Sequence, residues 1–277
     1  MLEGKRILVT GSAGSIGSEL YRQLVVGNTV MGMDINETAL FDLHEEYRLK
    51  GFDVEYRLGD VRDPEVVKDV FSKFSPNVVF HCAALKHVTP NEAYPREAVK
   101  TNVMGTLNVI SEAKRTGVEK LIYISTDKVI NSYSIMGVTK KLGELITKNT
   151  GYTAVRFGNV LGSRGSVIPI WQKQLDAGEP LTITDERMSR FFMSIEEACE
   201  LVIRACEISQ GGEIMVMDMG NRKNLLELAK EILHKAGKPD HPIRTIGIRP
   251  GEALTEEIMT DEERGRALKL EDYWIIK

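Results

Sequence analysis

Apolar and polar positions along the first 150 residues form a pattern of short strands that alternate with amphipathic helices. The strands are runs rich in β-branched residues, which is typical of buried parallel strands, and apolar residues recur at helical spacing between them. Strands are predicted at residues 6–10, 29–33, 54–58, 77–82, 121–124 and 152–157, and helices after residue 17, at 64–74, at 95–116 and from about Ile135. Such strand–helix–strand units imply an α/β fold with one parallel, doubly wound sheet.

The pattern loosens past residue 150, but no linker, low-complexity segment or internal repeat marks a boundary. We therefore predict a main sheet domain over residues 1–160 and a smaller C-terminal lobe over residues 161–277 that is interleaved with the main sheet. A chain of 277 residues is long enough to form both.

A glycine-rich loop, GSAGSIG, lies between the first predicted strand and the first predicted helix. Gly11, Gly14 and Gly17 permit a tight turn, the close approach of a pyrophosphate and tight helix packing. Backbone N–H groups at the helix start, around Ser15 and Ile16, then face the phosphates. A plain turn is the alternative, but the position between a strand and a helix favours a Rossmann-like dinucleotide site.

The second strand leads into Asp34, a suitable ligand for a dinucleotide ribose because a carboxylate accepts hydrogen bonds from both ribose hydroxyls. The same carboxylate repels a 2′-phosphate, and no arginine follows it until Arg48, so the sequence favours NAD over NADP. A turn-forming aspartate is the alternative for Asp34 alone.

Small or polar residues also follow the third and fourth strands. Asp60 and Val61 come after the third strand, where they can bracket an adenine ring. Ala83 and Ala84 come after the fourth strand, and small residues there let a cofactor lie against the backbone. These four residues are therefore predicted to contact the dinucleotide.

The stretch from 121 to 144, LIYISTDKVINSYSIMGVTKKLGE, reads as a strand, a loop and a helix. Polar side chains at the carboxyl end of a parallel strand face the ligand crevice, so the STDK cluster at 125–128 supplies active-site candidates. Met136 and Lys140 lie one helical turn apart on a shared face, which aims Lys140 at the same crevice. The alternative is a Thr-Asp pair that only caps the loop, beside two solvated lysines.

Composition narrows the class of protein. With 42% hydrophobic and 27% charged residues the chain is an ordinary soluble globular protein, and a net charge of -4 gives no footprint for nucleic acid. Cys82, Cys199 and Cys206 are spread through apolar contexts, which predicts reduced core thiols and no metal site. Because neither a long apolar run nor a signal pattern occurs, we expect a cytoplasmic protein without a membrane span.

Three arginines on predicted loops, Arg164, Arg190 and Arg249, are candidates for clamping a diphosphate. Guanidinium groups match phosphate oxygens in geometry and charge. The alternative for any one of them is a surface salt bridge.

The motifs together resemble the extended short-chain dehydrogenases/reductases, and within them the CapD-like group of UDP-N-acetylglucosamine 4,6-dehydratases. The resemblance covers nearly the whole chain. It rests on TGSAGSIGSEL (10–20), GDVRD (59–63), HCAALKHV (81–88), KTNVMGT (100–106), STDK (125–128), MGVTK (136–140), RFGNVLGSRGSVIP (156–169), MSRFFM (188–193) and RPGE (249–252). Many reductases share the glycine loop, whereas STDK followed by GVTK and GNVLGSRGSV are far more specific.

The resemblance implies a reaction without net redox change, in which NAD takes a hydride from C4 of the sugar and returns it to C6 as water is lost. Lys128 would be the base at C5, Asp127 the acid for the C6 hydroxyl, and Thr126 or Ser125 the partner of O4. A lysine acts as a base only when it is neutral. We therefore expect burial or nearby positive charge to lower the pKa of Lys128, with Lys140 as one source of that charge.

The resemblance also implies which residues hold the two ligands. To the cofactor residues named above it adds Lys86, Asn102, Ser125 and Lys140, the last at the nicotinamide ribose. For a UDP-sugar it implies Lys86, Asn159, Arg164, Ser166, Arg190, Arg249 and Glu252. Residues 1–160 would then bind NAD, and residues 161–277 would mainly bind the substrate.

Met136 is where this chain departs from the wider superfamily, which has a tyrosine in the corresponding Tyr-x-x-x-Lys pair. A thioether cannot take the O4 proton. Large membrane-anchored dehydratases resemble this chain in carrying methionine there, so the substitution does not imply an inactive protein. The O4 proton must then pass to Asp127, to Lys128 or to a water held by Thr126, with Tyr133 as runner-up; we favour Lys128.

Three functional classes stay open. A UDP-sugar 4,6-dehydratase, with or without inversion at C5, is favoured. A nucleotide-sugar 4-epimerase is the second class, and the Asp127–Lys128 pair argues against it because epimerisation needs no acid and base at C5 and C6. An inactive NAD-binding regulator is the third, for which Met136 is the only indication.

Related folds often pair two helices across a dyad, and the helices concerned are here those at 95–116 and from about Ile135. We therefore predict a homodimer or larger homo-oligomer. Apolar contacts would come from Val103, Met104, Leu107 and Ile110, unless these four face the sheet of their own subunit.

Overall fold

A nine-stranded sheet lies at the centre of the computed structural model, which describes residues 2–277. The strands are β1 (Arg6–Thr10), β2 (Thr29–Asp34), β3 (Val54–Leu58), β4 (Val78–His81), β5 (Lys120–Ile124), β6 (Thr153–Arg156), β7 (Asn159–Val160), β8 (Leu181–Ile183), β9 (Ser189–Arg190), β10 (Phe192–Met193), β11 (Glu213–Met217), β12 (Lys223–Asn224), β13 (Ile243–Thr245), β14 (Leu268–Leu270) and β15 (Tyr273–Ile276). The large sheet has the order β14-β15-β11-β6-β5-β4-β1-β2-β3. Strands β1 to β6 and β11 are parallel, and β15 and β14 add an antiparallel edge. The predicted α/β fold with a parallel sheet is confirmed, apart from that edge.

The structure has helices in the four places where they were predicted, and it has others besides. The helices are α1 (Ser15–Leu24), α2 (Glu37–Leu49), α3 (Pro64–Phe74), α4 (Val88–Ala93), α5 (Pro95–Ala98), α6 (Thr106–Thr116), α7 (Ile135–Asn149), α8 (Val167–Asp176), α9 (Ile195–Ile208), α10 (Leu225–Lys235) and α11 (Asp261–Arg266). The single helix predicted at 95–116 is interrupted by a π-helical segment, Val99–Gly105. The segment turns Asn102 inward, where its side-chain amide binds both backbone groups of Leu85.

Two hydrophobic cores divide the C-terminal residues between them. The larger core lies along the main sheet and includes Val202 of α9, Val216 of β11 and Ile276 of β15. The smaller core surrounds the fully buried Trp171 of α8 and includes Leu233 of α10. Residues 161–277 therefore contribute both to the main sheet and to a separate lobe.

The parallel strands bring the predicted site residues to one edge of the sheet, because their carboxyl ends point the same way. The glycine loop follows β1, Asp34 ends β2, and the STDK cluster follows β5. The backbone N–H groups of Ser125 and Asp127 donate hydrogen bonds to the carbonyls of Val155 and Phe157. These bonds extend the pairing of β5 with β6 past the last residue of β5. No helix within residues 2–277 has the length and apolar character that crossing a membrane requires.

Candidate active site

The glycine loop has the close contacts that only glycine allows. Gly11 has a φ of +69°, and a Cβ there would lie 2.6 Å from the backbone nitrogen of Ala83. A Cβ at Gly17 would lie 2.2 Å from the carbonyl oxygen of Gly11. Helix α1 begins without a side-chain cap, so its first N–H groups remain available to an anion.

Two groups border this loop from other parts of the chain. The Asp34 carboxylate accepts hydrogen bonds from the backbone N–H groups of Ala13 and Asn36, both at 2.9 Å, which fixes its orientation. Arg164 donates from its guanidinium to the carbonyl of Ala13 at 2.5 Å, and its backbone N–H donates to the hydroxyl of Ser15 at 3.0 Å. Arg164 was predicted to bind the substrate diphosphate, but it lies against the dinucleotide loop.

Of the other predicted cofactor residues, two are occupied by contacts within the protein. Val61 is buried, and its side chain faces Gly105 of the π-helical segment. Asn102 is fully buried, and besides Leu85 it binds the hydroxyl of Thr139 at 3.1 Å. Asn102 thus holds the loop after β4 in place, and its direct contact with a cofactor stays a prediction.

A cavity of about 650 Å³ opens beside the STDK cluster, between the sheet edge and the C-terminal lobe. Its wall includes seven of the predicted residues: Asp127, Lys128, Asn159, Ser166, Arg190, Arg249 and Glu252. Lys86 and Arg164 are not part of the wall. The volume is in the range of small-molecule and nucleotide sites.

A cluster of charged groups forms the floor of this cavity. The ammonium group of Lys128 lies 3.0 Å from Oδ1 of Asp127, 2.9 Å from Oδ1 of Asn159 and 3.1 Å from Oε2 of Glu256. The hydroxyl of Thr126 donates to Oδ1 of Asp127 at 3.0 Å and also accepts from the backbone N–H of Lys128. Thr126 therefore caps the turn, as the alternative interpretation had it, and contacts the candidate acid as well.

The protonation states of this cluster agree with one expectation and contradict another. Burial raises the pKa of Asp127 to about 7, and the charge of Glu256 adds to the rise, so Asp127 is a suitable general acid near neutral pH. The pKa of Lys128 is raised above its usual value, because Asp127 and Glu256 outweigh the effect of burial. The expectation of a lowered pKa is therefore wrong, and the nearby cation that opposes the rise is Arg190, not Lys140.

Lys140 and Met136 are both buried in helix α7. The ammonium group of Lys140 donates to the carbonyl of Ile124 and lies 4.1 Å from the ring centre of Tyr123. Burial lowers the pKa of Lys140 to about 7. Met136 is 2% exposed and does not line the cavity, whereas Tyr133 is 78% exposed and lies on its rim.

Arg190 is committed to contacts within the protein. Its guanidinium donates to the carbonyls of Ser189, Ala253 and Leu254 at 2.7 to 2.9 Å, and Nε lies 3.2 Å from Glu256. These contacts use most of the donors of the guanidinium. Arg190 is thus placed to hold Glu256, and its contact with a diphosphate stays a prediction.

The rim of the cavity has cationic and polar groups that fit the predicted diphosphate better. Arg249 is half exposed, and Nη1 of its guanidinium is 3.9 Å from Glu252. The hydroxyl of Ser166 lies before helix α8 and has no hydrogen-bond partner within residues 2–277. Lys86 lies outside the cavity wall, and burial together with the charges of Arg164 and Lys128 lowers its pKa. Their contacts with a ligand stay predictions.

A buried ion network behind the cluster was not predicted. Arg156 is fully buried and makes paired hydrogen bonds of 2.7 to 3.1 Å to Glu144 and to Glu263. Glu144 also accepts from the hydroxyl of Ser125 at 2.7 Å, so that hydroxyl is not directed at a ligand. Lys141 contacts both carboxylates. The network joins helix α7 and strand β6 to the C-terminal lobe.

Glu256 is the other residue that sequence reasoning missed. It lies 128 residues from Lys128 along the chain, so no local spacing indicates their contact. In the segment RPGEALTEE five residues follow the RPGE motif, and Glu256 is the buried one of the two final glutamates. The two glutamates are adjacent and alike in the sequence, so it offers no signal that separates them, and only the fold shows which one is buried.

Known proteins match the chain along nearly all of its length. It is 41% identical to the capsular polysaccharide biosynthesis protein CapD of Staphylococcus aureus, over 95% of this chain and 46% of that protein. It is 34% identical to the UDP-glucose 4-epimerase of Rickettsia rickettsii, over 100% of this chain and 84% of that protein. The chain thus spans less than half of CapD but most of the epimerase.

A solved structure supports the same relationship. The X-ray structure of Pen from Bacillus thuringiensis superposes with a TM-score of 0.94 at 35% identity, over 99% of this chain and 89% of that chain. Residues 7–277 match a family model described as polysaccharide biosynthesis protein. That match includes the glycine loop, the cavity with its charged floor and the buried ion network, so the chain belongs to the polysaccharide biosynthesis protein family.

Proposed function

We propose that the chain is an NAD-dependent nucleotide-sugar 4,6-dehydratase that acts on UDP-N-acetylglucosamine or a related UDP-hexose. One observation carries the proposal. A buried carboxyl group with a pKa of about 7, Asp127, touches the ammonium group of Lys128 on the floor of a nucleotide-sized cavity. Removal of water across C5 and C6 of a sugar requires such a pair of proton-transfer groups.

The residues at the edge of the sheet fit a dinucleotide. The glycine loop has no room for a Cβ at Gly11 or Gly17, and the hydroxyl of Ser12 is buried without a partner in residues 2–277. Asp34 would bind the ribose hydroxyls, and Lys140 the nicotinamide ribose. When bound there, NAD would supply the oxidation at C4 and the later reduction at C6.

Asp127 is the best candidate to receive the O4 proton, in place of Lys128, which we favoured from the sequence alone. Lys128 is protonated in the free chain and cannot take a further proton. Thr126 donates to Asp127, so its hydroxyl can pass the O4 proton to that carboxylate. Asp127 then holds the proton that the leaving C6 hydroxyl requires, and one residue serves both steps.

A UDP-sugar 4-epimerase is the second candidate, because the relative from Rickettsia rickettsii has that name. An epimerase oxidises C4 and reduces it again from the other face. It also needs a group that receives the O4 proton, which Asp127 can do, but it needs no base at C5, so Lys128 beside Asp127 would have no task. The dehydratase accounts for more of the observed cavity floor.

Proton NMR of the purified protein with NAD and UDP-N-acetylglucosamine tests the proposal. A dehydratase gives a new methyl doublet from C6 of the product. A galacto-configured product without the doublet would instead establish the epimerase, and unchanged substrate would indicate an inactive NAD-binding protein.

The cofactor preference gives the first prediction. We expect NAD to bind at least about tenfold more tightly than NADP, a difference of about 1.4 kcal/mol, because Asp34 is held rigidly where a 2′-phosphate would lie. Isothermal titration calorimetry measures both affinities. Asp34→Asn should narrow the difference, and equal or tighter binding of NADP by the unaltered protein would show that Asp34 does not face the ribose.

Residues near the missing tyrosine give the second prediction. Met136→Leu should be tolerated, with a stability change below about 1.5 kcal/mol, since it keeps a similar buried volume and removes no proton-transfer group. Tyr133→Phe should also retain C4 oxidation, because Tyr133 is exposed on the rim. Nicotinamide absorbance follows that step. Loss of C4 oxidation in Tyr133→Phe alone would show that the Tyr133 phenol is the first base.

Self-association gives the third prediction, with a corrected interface. Val103 and Ile110 are buried within their own subunit and cannot supply the apolar contacts assigned to them. The exposed apolar residues of the π-helical segment and of helix α7, which pack together, are Val99, Met104, Val138, Leu142 and Leu145. We propose that these five residues pair across a dyad in a homodimer.

Sedimentation at micromolar concentration tests this interface. Leu142→Glu should give a monomer, because it places a charge in the apolar face. Leu49→Glu is the matched control, since Leu49 is also an exposed leucine but lies on helix α2. A monomeric unaltered protein would rule the interface out.

A further inference from the structure

We propose that Glu256 accepts the ammonium proton of Lys128 and thereby generates the neutral amine that deprotonates C5 of the sugar. The inference rests on the dehydratase function proposed above and assigns a residue to it. Glu256 lines the cavity beside Lys128 and would act through the Lys128 amine, so it is a positioning residue.

The geometry of Glu256 suits this role. Its side chain is buried in the C-terminal lobe and directs Oε2 at the ammonium group of Lys128, 3.1 Å away. The other oxygen, Oε1, lies 3.2 Å from Nε of Arg190. Because backbone carbonyls fix Arg190, the carboxylate of Glu256 is held in one orientation, in which Oε2 accepts from the Lys128 ammonium group and, at 3.4 Å, from the side-chain amide of Asn159.

Lys128 needs a proton acceptor before it can act as a base. Its raised pKa means that it is an ammonium ion at neutral pH. Three side chains contact that ion: Asp127, Asn159 and Glu256. An amide oxygen such as that of Asn159 does not hold a proton at neutral pH, and Asp127 already carries the O4 proton destined for the C6 hydroxyl. Glu256 is the remaining acceptor.

The protons balance over one turnover. The O4 proton passes through Thr126 to Asp127, and the Lys128 ammonium proton passes to Glu256. Neutral Lys128 then takes the C5 proton while Asp127 protonates the leaving C6 hydroxyl, and water departs. Lys128 returns a proton to C5, and Glu256 returns its proton to Lys128. The keto product has lost the O4 proton, which leaves in the water molecule.

Other charges near the pair oppose or favour the transfer. The charges of Lys128 and Arg190 lower the pKa of Glu256, so proton transfer is uphill in the free chain. The charges of Lys86 and Lys128 repel each other, which favours the neutral form of either amine. A sugar that fills the cavity excludes water, and low dielectric favours the neutral forms of both partners.

The test separates C4 oxidation from exchange at C5. In deuterated buffer, Glu256→Gln should slow the loss of the C5 proton signal by about 100-fold or more, because glutamine cannot accept a proton. Formation of reduced nicotinamide in a single turnover should change by less than about threefold, since that step uses Thr126 and Asp127. A merely structural role would slow both steps together.

Two further comparisons complete the experiment. Glu257→Gln is the matched control, because Glu257 is the adjacent glutamate and pairs with Arg222 and Arg264 outside the cluster. In Glu256→Asp and Glu256→Asn the new side chains have equal length and differ in their acidic group. Faster C5 exchange in the aspartate variant would therefore show that an acidic group is required, even if Glu256→Gln does not fold.

Unchanged C5 exchange in Glu256→Gln, or equal exchange in the aspartate and asparagine variants, would overturn the inference while the unaltered protein still forms product. Equal slowing of C4 oxidation and C5 exchange would overturn it as well. If the unaltered protein forms no product, the proposed dehydratase function fails, and this inference fails with it.

Discussion

Asp127→Asn and Lys128→Ala are each expected to lower the rate of dehydration by a factor of about 100 to 10,000, the usual contribution of a positioned proton-transfer group. Asp127 is the one acid at the cavity floor with a pKa near neutrality, and Lys128 is the amine beside it. Neither side chain borders the glycine loop, so NAD should bind to both variants as it does to the unaltered protein. Product formation by proton NMR and NAD binding by calorimetry measure the two effects.

Lys173→Met is a suitable control for this pair of variants. Lys173 is exposed on helix α8, so the substitution removes one positive charge without affecting the charged cluster at the cavity floor. Its rate should equal that of the unaltered protein. Full activity of Lys128→Ala would contradict the mechanism, and full activity of Asp127→Asn would remove the acid from it.

Arg156→Met is expected to destabilise the fold by about 3–5 kcal/mol, the usual cost of leaving buried charges without their partner. Arg156 pairs with Glu144 and Glu263, and all three side chains are buried. Loss of the guanidinium leaves two carboxylates with Lys141 as their remaining cation. Urea denaturation measures the change in the free energy of unfolding.

Arg187→Met provides the comparison at the surface. Arg187 pairs with Asp185 but is largely exposed, so its loss should cost no more than about 1 kcal/mol. Similar costs for the two variants would show that the buried network adds nothing to stability.

Because of the buried Arg156 network, we also expect stability to depend on pH. Hydrogen bonds and charge from Arg156 lower the pKa of Glu263 to about 2, against a usual value of 4.5, although burial alone would raise it. A carboxylate with a lowered pKa contributes its full stabilisation when the pH is above its usual pKa, and this contribution is lost as the pH falls toward 2. Arg156→Met should remove that part of the acid dependence.

Local sequence patterns predicted the first six strands of the sheet and the places of the glycine loop, Asp34 and the STDK cluster after them, but not strands β11, β14 and β15. The bounds of β1, β3 and α3 agree with prediction for different reasons. β1 is a continuous apolar run that the glycine loop ends, and β3 alternates apolar with polar residues. α3 has apolar residues at helical spacing after its cap, Asp63. The glycine loop and the STDK cluster could be placed because the carboxyl ends of parallel strands meet at one edge. These inferences need only neighbouring residues.

Predictions that depend on distant contacts were incomplete. The charge state of Lys128 was wrong because Glu256 reaches it from the C-terminal lobe and counteracts the effect of burial. The predicted dimer contacts assumed a regular helix over 95–116, whereas the π-helical segment shifts the helical phase and turns Val103 inward. Partner carboxylates and helical irregularities arise from tertiary packing, so no local spacing indicates them.

Transfer of deuterium from C4 to C6 tests the central claim most directly. The protein would be incubated with NAD and UDP-N-acetylglucosamine deuterated at C4, and the product would be analysed by NMR and mass spectrometry. A 4,6-dehydratase places the deuterium in the C6 methyl group of a 4-keto-6-deoxy sugar. Deuterium retained at C4 of a galacto-configured product would contradict the account and identify the chain as an epimerase.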